Sequence, residues 1–163
     1  MKIRNNILKI VLVSLLALGF SACDDNESSS MISSEKKVKL PKPEWDNRLS
    51  NVEPDTGMWY QLAADDEIAA YNIGVVYSDK IKDYKKAIEW YLYSDSINSN
   101  GNNLFNIGLI YNESKKYEKA VFYYKKSFSL GIYKSALNLG NIYQDLKDYQ
   151  SAELWYKKAI ERE

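Results

Sequence analysis

From residue 58 onward, apolar and polar positions recur in register three times. The first segment of each unit reads Tyr71-Asn72-Ile73-Gly74-Val75-Val76-Tyr77, then Phe105-Asn106-Ile107-Gly108-Leu109-Ile110-Tyr111, then Leu137-Asn138-Leu139-Gly140-Asn141-Ile142-Tyr143. Positions 71, 74 and 77 stand at i, i+3 and i+6, one face of an α-helix. A second segment follows each: Asp83-Tyr84-Lys85-Lys86-Ala87, Lys116-Tyr117-Glu118-Lys119-Ala120 and Asp148-Tyr149-Gln150-Ser151-Ala152. These lead into the aromatic pairs Trp90-Tyr91, Tyr123-Tyr124 and Trp155-Tyr156. Tyr84, Ala87, Trp90 and Tyr91 again make one helical stripe. The pattern predicts two helices per unit. The glycines lie 34 and then 32 residues apart, a period that means a solenoid of stacked supersecondary units. Gly inside a helix is unfavourable by about 1 kcal/mol against Ala, so its return at one position predicts a neighbouring helix packed directly on it. From that Gly to the Ala of the next helix is 13, 12 and 12 residues, which places one extra residue in the first turn.

Upstream the pattern changes. Trp59-Tyr60-Gln61-Leu62-Ala63 echoes Trp155-Tyr156-Lys157-Lys158-Ala159 and predicts a truncated unit that caps the N-terminal end. Residues 23–57 read as a flexible tether. They hold all three prolines, Pro41, Pro43 and Pro54, with serine runs and too little apolar surface to offset ordering entropy. Trp45 and Leu49 are the exceptions that could dock on the folded part. At the N-terminus Lys2, Arg4 and Lys9 precede an apolar run, Ile10 to Phe20, broken only by Ser14. Its 11 residues fall far short of the roughly 20 that span a bilayer. A basic head, a short apolar body and small residues after it predict a secretory signal peptide over 1–22.

Composition narrows the function. Lys plus Arg is 22 and Asp plus Glu is 22, so the formal charge is zero, which argues against a nucleic-acid partner. The chain has no His, excluding Ser-His-Asp and Cys-His catalysis and His-based metal sites. Its single Cys cannot form an intramolecular disulfide. The acids lie along helical faces and loops without the facing pair that glycoside hydrolysis needs. No enzyme activity, cofactor or metal is expected.

Two resemblances carry the reading further. Phe20-Ser21-Ala22-Cys23 resembles the lipobox of bacterial lipoproteins, with Phe20 where Leu is usual. The resemblance implies cleavage before Cys23, lipidation of its thiol and anchoring in the cell envelope facing the periplasm. Asp24, followed by Asp25, resembles the enterobacterial signal for retention in the inner membrane. The repeats in turn resemble the tetratricopeptide repeat superfamily. They match in the Gly at 74, 108 and 140, the Tyr three residues later, the Ala at 87, 120 and 152 and the aromatic four after it. The Y-N-I-G and W-Y-x-x-A phrasing is closer to its Sel1-like branch. The resemblance implies an all-α fold over 58–163: a short right-handed α-solenoid of about three helix-turn-helix repeats with an N-terminal cap.

In that family the first helices line a concave groove that takes protein or peptide partners. Offsets from the Gly place Tyr71, Phe105 and Leu137 in one row, Val75, Leu109 and Asn141 in a second, and Asp79, Glu113 and Asp145 in a third. The third row is acidic in every repeat and falls near helix C-termini, where the macrodipole disfavours anions. It is either an acidic rim for a basic partner segment or a row neutralised by the adjacent Lys80, Lys82, Lys115, Lys116 and Lys147. The recurring Asn72, Asn106 and Asn138 are expected to hydrogen-bond across repeat interfaces. Three functional readings stand, one of them a structural module that assembles with itself. Another is a membrane-tethered scaffold. The third is an immunity protein that neutralises a periplasm-delivered toxin such as a type VI secretion phospholipase effector.

Overall fold

A computed structural model of the protein describes residues 38–161. The expected signal peptide, Cys23, Asp24 and the first part of the expected tether lie outside the described residues.

Helix starts follow the local chemistry. Asp66 opens α3 (Glu67–Val75) by accepting from the N–H groups of Ile68 and Ala69. Asp83 opens α4 (Tyr84–Ile97) by accepting from Lys86 N–H, and Asp148 opens α8 (Tyr149–Ile160) by accepting from Ser151 N–H. Between them lie α5 (Asn102–Glu113), α6 (Tyr117–Ser129) and α7 (Lys134–Asp145). Lys116 opens α6 with no side-chain cap. Two short helices, α1 (Arg48–Val52) and α2 (Thr56–Leu62), precede them, and no strand occurs among the described residues. Helices α3 and α4, α5 and α6, and α7 and α8 pair as the three repeats, and α2 packs on α3 as the expected cap.

The turn inside each repeat is the same. Lys82, Lys115 and Lys147 take left-handed backbone conformations, with φ of 62°, 54° and 62°. The N–H of the following residue then donates to the carbonyl of the repeat's second Tyr. These bonds run from Asp83 to Tyr77, Lys116 to Tyr111 and Asp148 to Tyr143, each at 2.9 Å. The extra residue of the first repeat is therefore not in the turn. It is absorbed inside the first helix, which continues from α3 as a π-helical segment, Val76–Ile81. A wider turn accommodates one more residue without moving either end.

The predicted close approach at the glycines is realised. A Cβ on Gly74, Gly108 or Gly140 would meet the ring of Tyr91, Tyr124 or Tyr156 at 2.7, 2.6 and 2.4 Å. Each ring comes from the second helix of the same repeat. Between repeats, buried serines act as rivets. Ser94 Oγ donates to the Glu67 carbonyl at 2.7 Å and accepts from Asn103 Nδ2 at 3.1 Å. One repeat later, Ser127 Oγ donates to the Gly101 carbonyl and accepts from Ser135 Oγ, both at 2.9 Å.

The expected tether needs correction over residues 38–57. This stretch is a strap packed on the first repeat. Leu49 is fully buried, worth about 1.5–3 kcal/mol. Trp45 meets the Tyr60 ring edge-on at 5.1 Å, and Lys42 Nζ lies 4.0 Å from the centre of the same ring. Leu40 N–H donates to Ser96 Oγ at 3.0 Å. Arg48 bridges Asp46 and Asp83 at 2.7 and 2.8 Å, and Lys80 of the π segment pairs with Glu53. A few well-placed anchors overcome a composition that is, on average, poor in apolar surface.

Candidate functional site: a cleft between the first two repeats

The π segment and the second half of α3 face α5 across a cleft of about 240 Å³. Tyr71 and Val75 come from α3, Ser78 and Asp79 from the π segment, Tyr91 from α4, and Asn106, Leu109, Ile110 and Glu113 from α5. Five expected groove residues, Tyr71, Val75, Asp79, Leu109 and Glu113, thus converge on one place. Sequence spacing missed Ser78 and Tyr91. Ser78 points into the cleft because it lies in the π segment. Tyr91 is the ring that covers Gly74, with its centre 5.6 Å from that of Tyr71. Asn106 Nδ2 donates to the Tyr71 hydroxyl at 3.1 Å, a bond across the repeat interface of the kind expected for the recurring asparagines.

The other expected residues stand apart. Phe105 packs beside Tyr124, ring centres 5.7 Å apart. Leu137, Asn141 and Asp145 lie exposed on α7 outside the cleft. Asn141 Oδ1 accepts from the Tyr156 hydroxyl at 2.7 Å.

The two readings of the rim differ in whether its acids are paired. Asp79 and Glu113 are exposed, and Glu113 is the last residue of α5. Neither makes an ion pair among the described residues. The lysine next to Asp79 turns away to Glu53 instead. Burial pushes the Tyr91 hydroxyl above the usual tyrosine range, and neighbouring Tyr71 and Asp79 add to the shift. That hydroxyl stays neutral and available for hydrogen bonding. The site offers two uncompensated carboxylates above a floor of aromatic and aliphatic carbon, with amide and hydroxyl groups between. Such a lining suits a cationic, partly apolar side chain. Among the described residues no cluster of potential metal ligands occurs, and no helix is long and apolar enough to cross a membrane.

Paired helices stacked in register, with a lined cleft between first helices, define a helical-repeat interaction scaffold. The tetratricopeptide repeat family model matches residues 69–100, 102–130 and 133–163, more than half of the chain. The chain belongs to the tetratricopeptide repeat family, whose members are generally non-enzymatic scaffolds for protein partners. Among solved structures, that of MamA superposes with a TM-score of 0.60 at 20% identity, over 67% of this chain. The match spans 65% of the MamA chain, and at this identity the likeness is one of fold. No curated protein matches the sequence.

Proposed function

We propose that the chain is a lipoprotein of the bacterial cell envelope, tethered through Cys23 and facing the periplasm, whose repeat cleft captures a protein partner by a basic segment. Asp24 favours the inner membrane. The observation that carries the partner reading is the uncompensated Asp79–Glu113 rim above the Tyr71, Tyr91 and Leu109 floor. Opposite charge steers a basic segment to the cleft, and the low-polarity floor holds it. The anchoring reading rests on the sole Cys standing directly after a short apolar run.

Each part has its own test. Cys23→Ser should leave the protein unprocessed or released from membranes on cell fractionation. A variant still processed and still membrane-bound refutes the anchor. The double variant Asp79→Asn/Glu113→Gln should weaken capture of a partner from envelope extract and flatten its salt dependence, whereas Asp145→Asn should change neither. Unchanged capture by a folded double variant refutes the rim. In the immunity reading the same cleft receives a toxin, and an adjacent effector gene would favour that reading over a scaffold.

A further inference from the structure

A second surface lies on the opposite helices, with the opposite charge. Helices α6 and α8 carry the same exposed pattern at the same offset from their packing alanines, Ala120 and Ala152. An apolar residue comes two positions on, Phe122 or Leu154, and a lysine pair comes five and six positions on. In the first repeat the apolar position is Glu89, the residue type solvent favours, and the lysine positions are Leu92 and Tyr93. Phe122 and Leu154 remain 43% and 51% exposed, so they pay a hydration penalty that a glutamate would avoid.

The lysines gather around these side chains. Lys126 Nζ lies 4.7 Å from the centre of the Phe122 ring. Lys125 from α6 and Lys158 from α8 converge on one Trp155 ring, at 5.9 and 4.4 Å. Trp155 is itself pinned edge-on against Phe128 at 5.4 Å, which locks the two helices together. None of Lys125, Lys126 and Lys158 makes an ion pair among the described residues, while Glu153 is taken by Lys157 at 2.7 Å. The result is a basic ridge with protruding apolar side chains, on helices that do not line the cleft.

We infer that this ridge docks on an anionic lipid surface. An acidic protein would satisfy the lysines but leave Phe122 and Leu154 without a pocket. A bilayer interface accepts both, with apolar side chains at the acyl boundary and long lysines reaching the headgroups. Each lysine near an anionic leaflet strengthens binding about fivefold. The ridge shares no helix with the cleft, so docking by the ridge leaves the cleft residues free for a partner. The inference does not depend on the proposed anchor or on the cleft reading.

The test uses the full chain with Cys23→Ser and a new single cysteine at Leu154→Cys carrying an environment-sensitive fluorophore. Vesicles of phosphatidylglycerol and phosphatidylcholine should shift its emission to the blue, and vesicles of phosphatidylcholine alone should not. The shift should fall at least tenfold in vesicle affinity when Lys125, Lys126 and Lys158 are all changed to Glu, or all to Gln, with helicity retained. The same fluorophore at Asp79→Cys should stay unshifted, because Asp79 lies on a segment outside the ridge. The inference is overturned by equal shifts at both positions, by a shift with neutral vesicles, or by a shift that survives the lysine changes. Binding of polyglutamate without any vesicle response would assign the ridge to an acidic polypeptide and overturn it too.

Discussion

Gly108 and Gly140 make the packing argument quantitative. Replacing either with Ala gains about 1 kcal/mol of helix propensity. Against that gain stands the ring of the partner helix. At Gly108 the new methyl would sit 2.6 Å from two carbons of Tyr124, whose side chain is fully enclosed. That ring has nowhere to go, and overpacking a closed core is destabilising by about 1–3 kcal/mol. At Gly140 the approach is closer still, 2.4 Å, but Tyr156 is half-buried and its rim is open to solvent. The ring can swing outward, exchanging its bond to Asn141 for water. Gly108→Ala should therefore lose about 1 kcal/mol, or about 4 °C in Tm. Gly140→Ala should be neutral or up to about 1 kcal/mol more stable. Gly108→Leu should fall below Gly108→Ala. Urea denaturation followed by circular dichroism measures all three against the parent. A Gly108→Ala protein as stable as the parent or more so would show that the ring yields freely. Equal effects at the two glycines would show that ring enclosure is irrelevant.

Three further outcomes are expected. Lys116→Asp should supply the cap that Asp83 and Asp148 already give their helices, raising stability by about 0.5–1 kcal/mol in the same denaturation experiment. Ser127→Ala strands the Ser135 hydroxyl in a buried place and leaves the Gly101 carbonyl with only the Phe105 N–H, and should lose about 1–3 kcal/mol by the same measurement. The hydrogen bond from Arg48 holds the Asp46 carboxyl at about 2, below its ordinary 3.8. A carboxyl depressed in the folded state stabilises above its unfolded value, so this contribution is lost as pH falls from about 4 to about 2. The strap should loosen over that window, read from the amide resonances of Leu40 and Leu49, and Arg48→Ala should weaken the dependence, leaving the part due to the residue-48 N–H.

The repeats were legible in the sequence because they state the same physical requirement three times. A Gly under a ring and an Ala between helices leave a periodic mark that needs no other information. Two of the three features that position the cleft leave no such mark. The strap is held by single contacts of Leu49, Trp45 and Arg48, each without a period, inside a stretch whose prolines and serines suggest no fold. The left-handed lysines carry no signal either, since Gly or Asn is the residue that usually announces that conformation. The third feature was half visible. The 13-residue interval revealed a surplus residue, but spacing alone could not say whether turn or helix would absorb it. Ser94 and Ser127 recur seven positions after Ala87 and Ala120. A search for repeated small polar residues would have found these rivets. Of the candidate groove, offset arithmetic collected the residues of two first helices but not Tyr91, which reaches the cleft from the second helix of its repeat.

The π segment bears on how such a chain can change length. One residue added to an ordinary α-helix rotates everything after it by about 100°, turning a buried stripe toward water. Here the surplus is cancelled within a single wide turn. Tyr77 in its first turn and Lys82 just after it keep the places that Tyr111 and Lys115 hold in the next repeat. The helix thus works as a phase compensator. It absorbs one of the two residues by which the first repeat, at 34, exceeds the second, at 32; the other falls between Ala87 and Gly108, which are 21 apart against 20 for Ala120 and Gly140. The same wide turn delivers Ser78 and Asp79 to the cleft wall, so what began as a counting error in one repeat distinguishes its recognition surface from those of its neighbours.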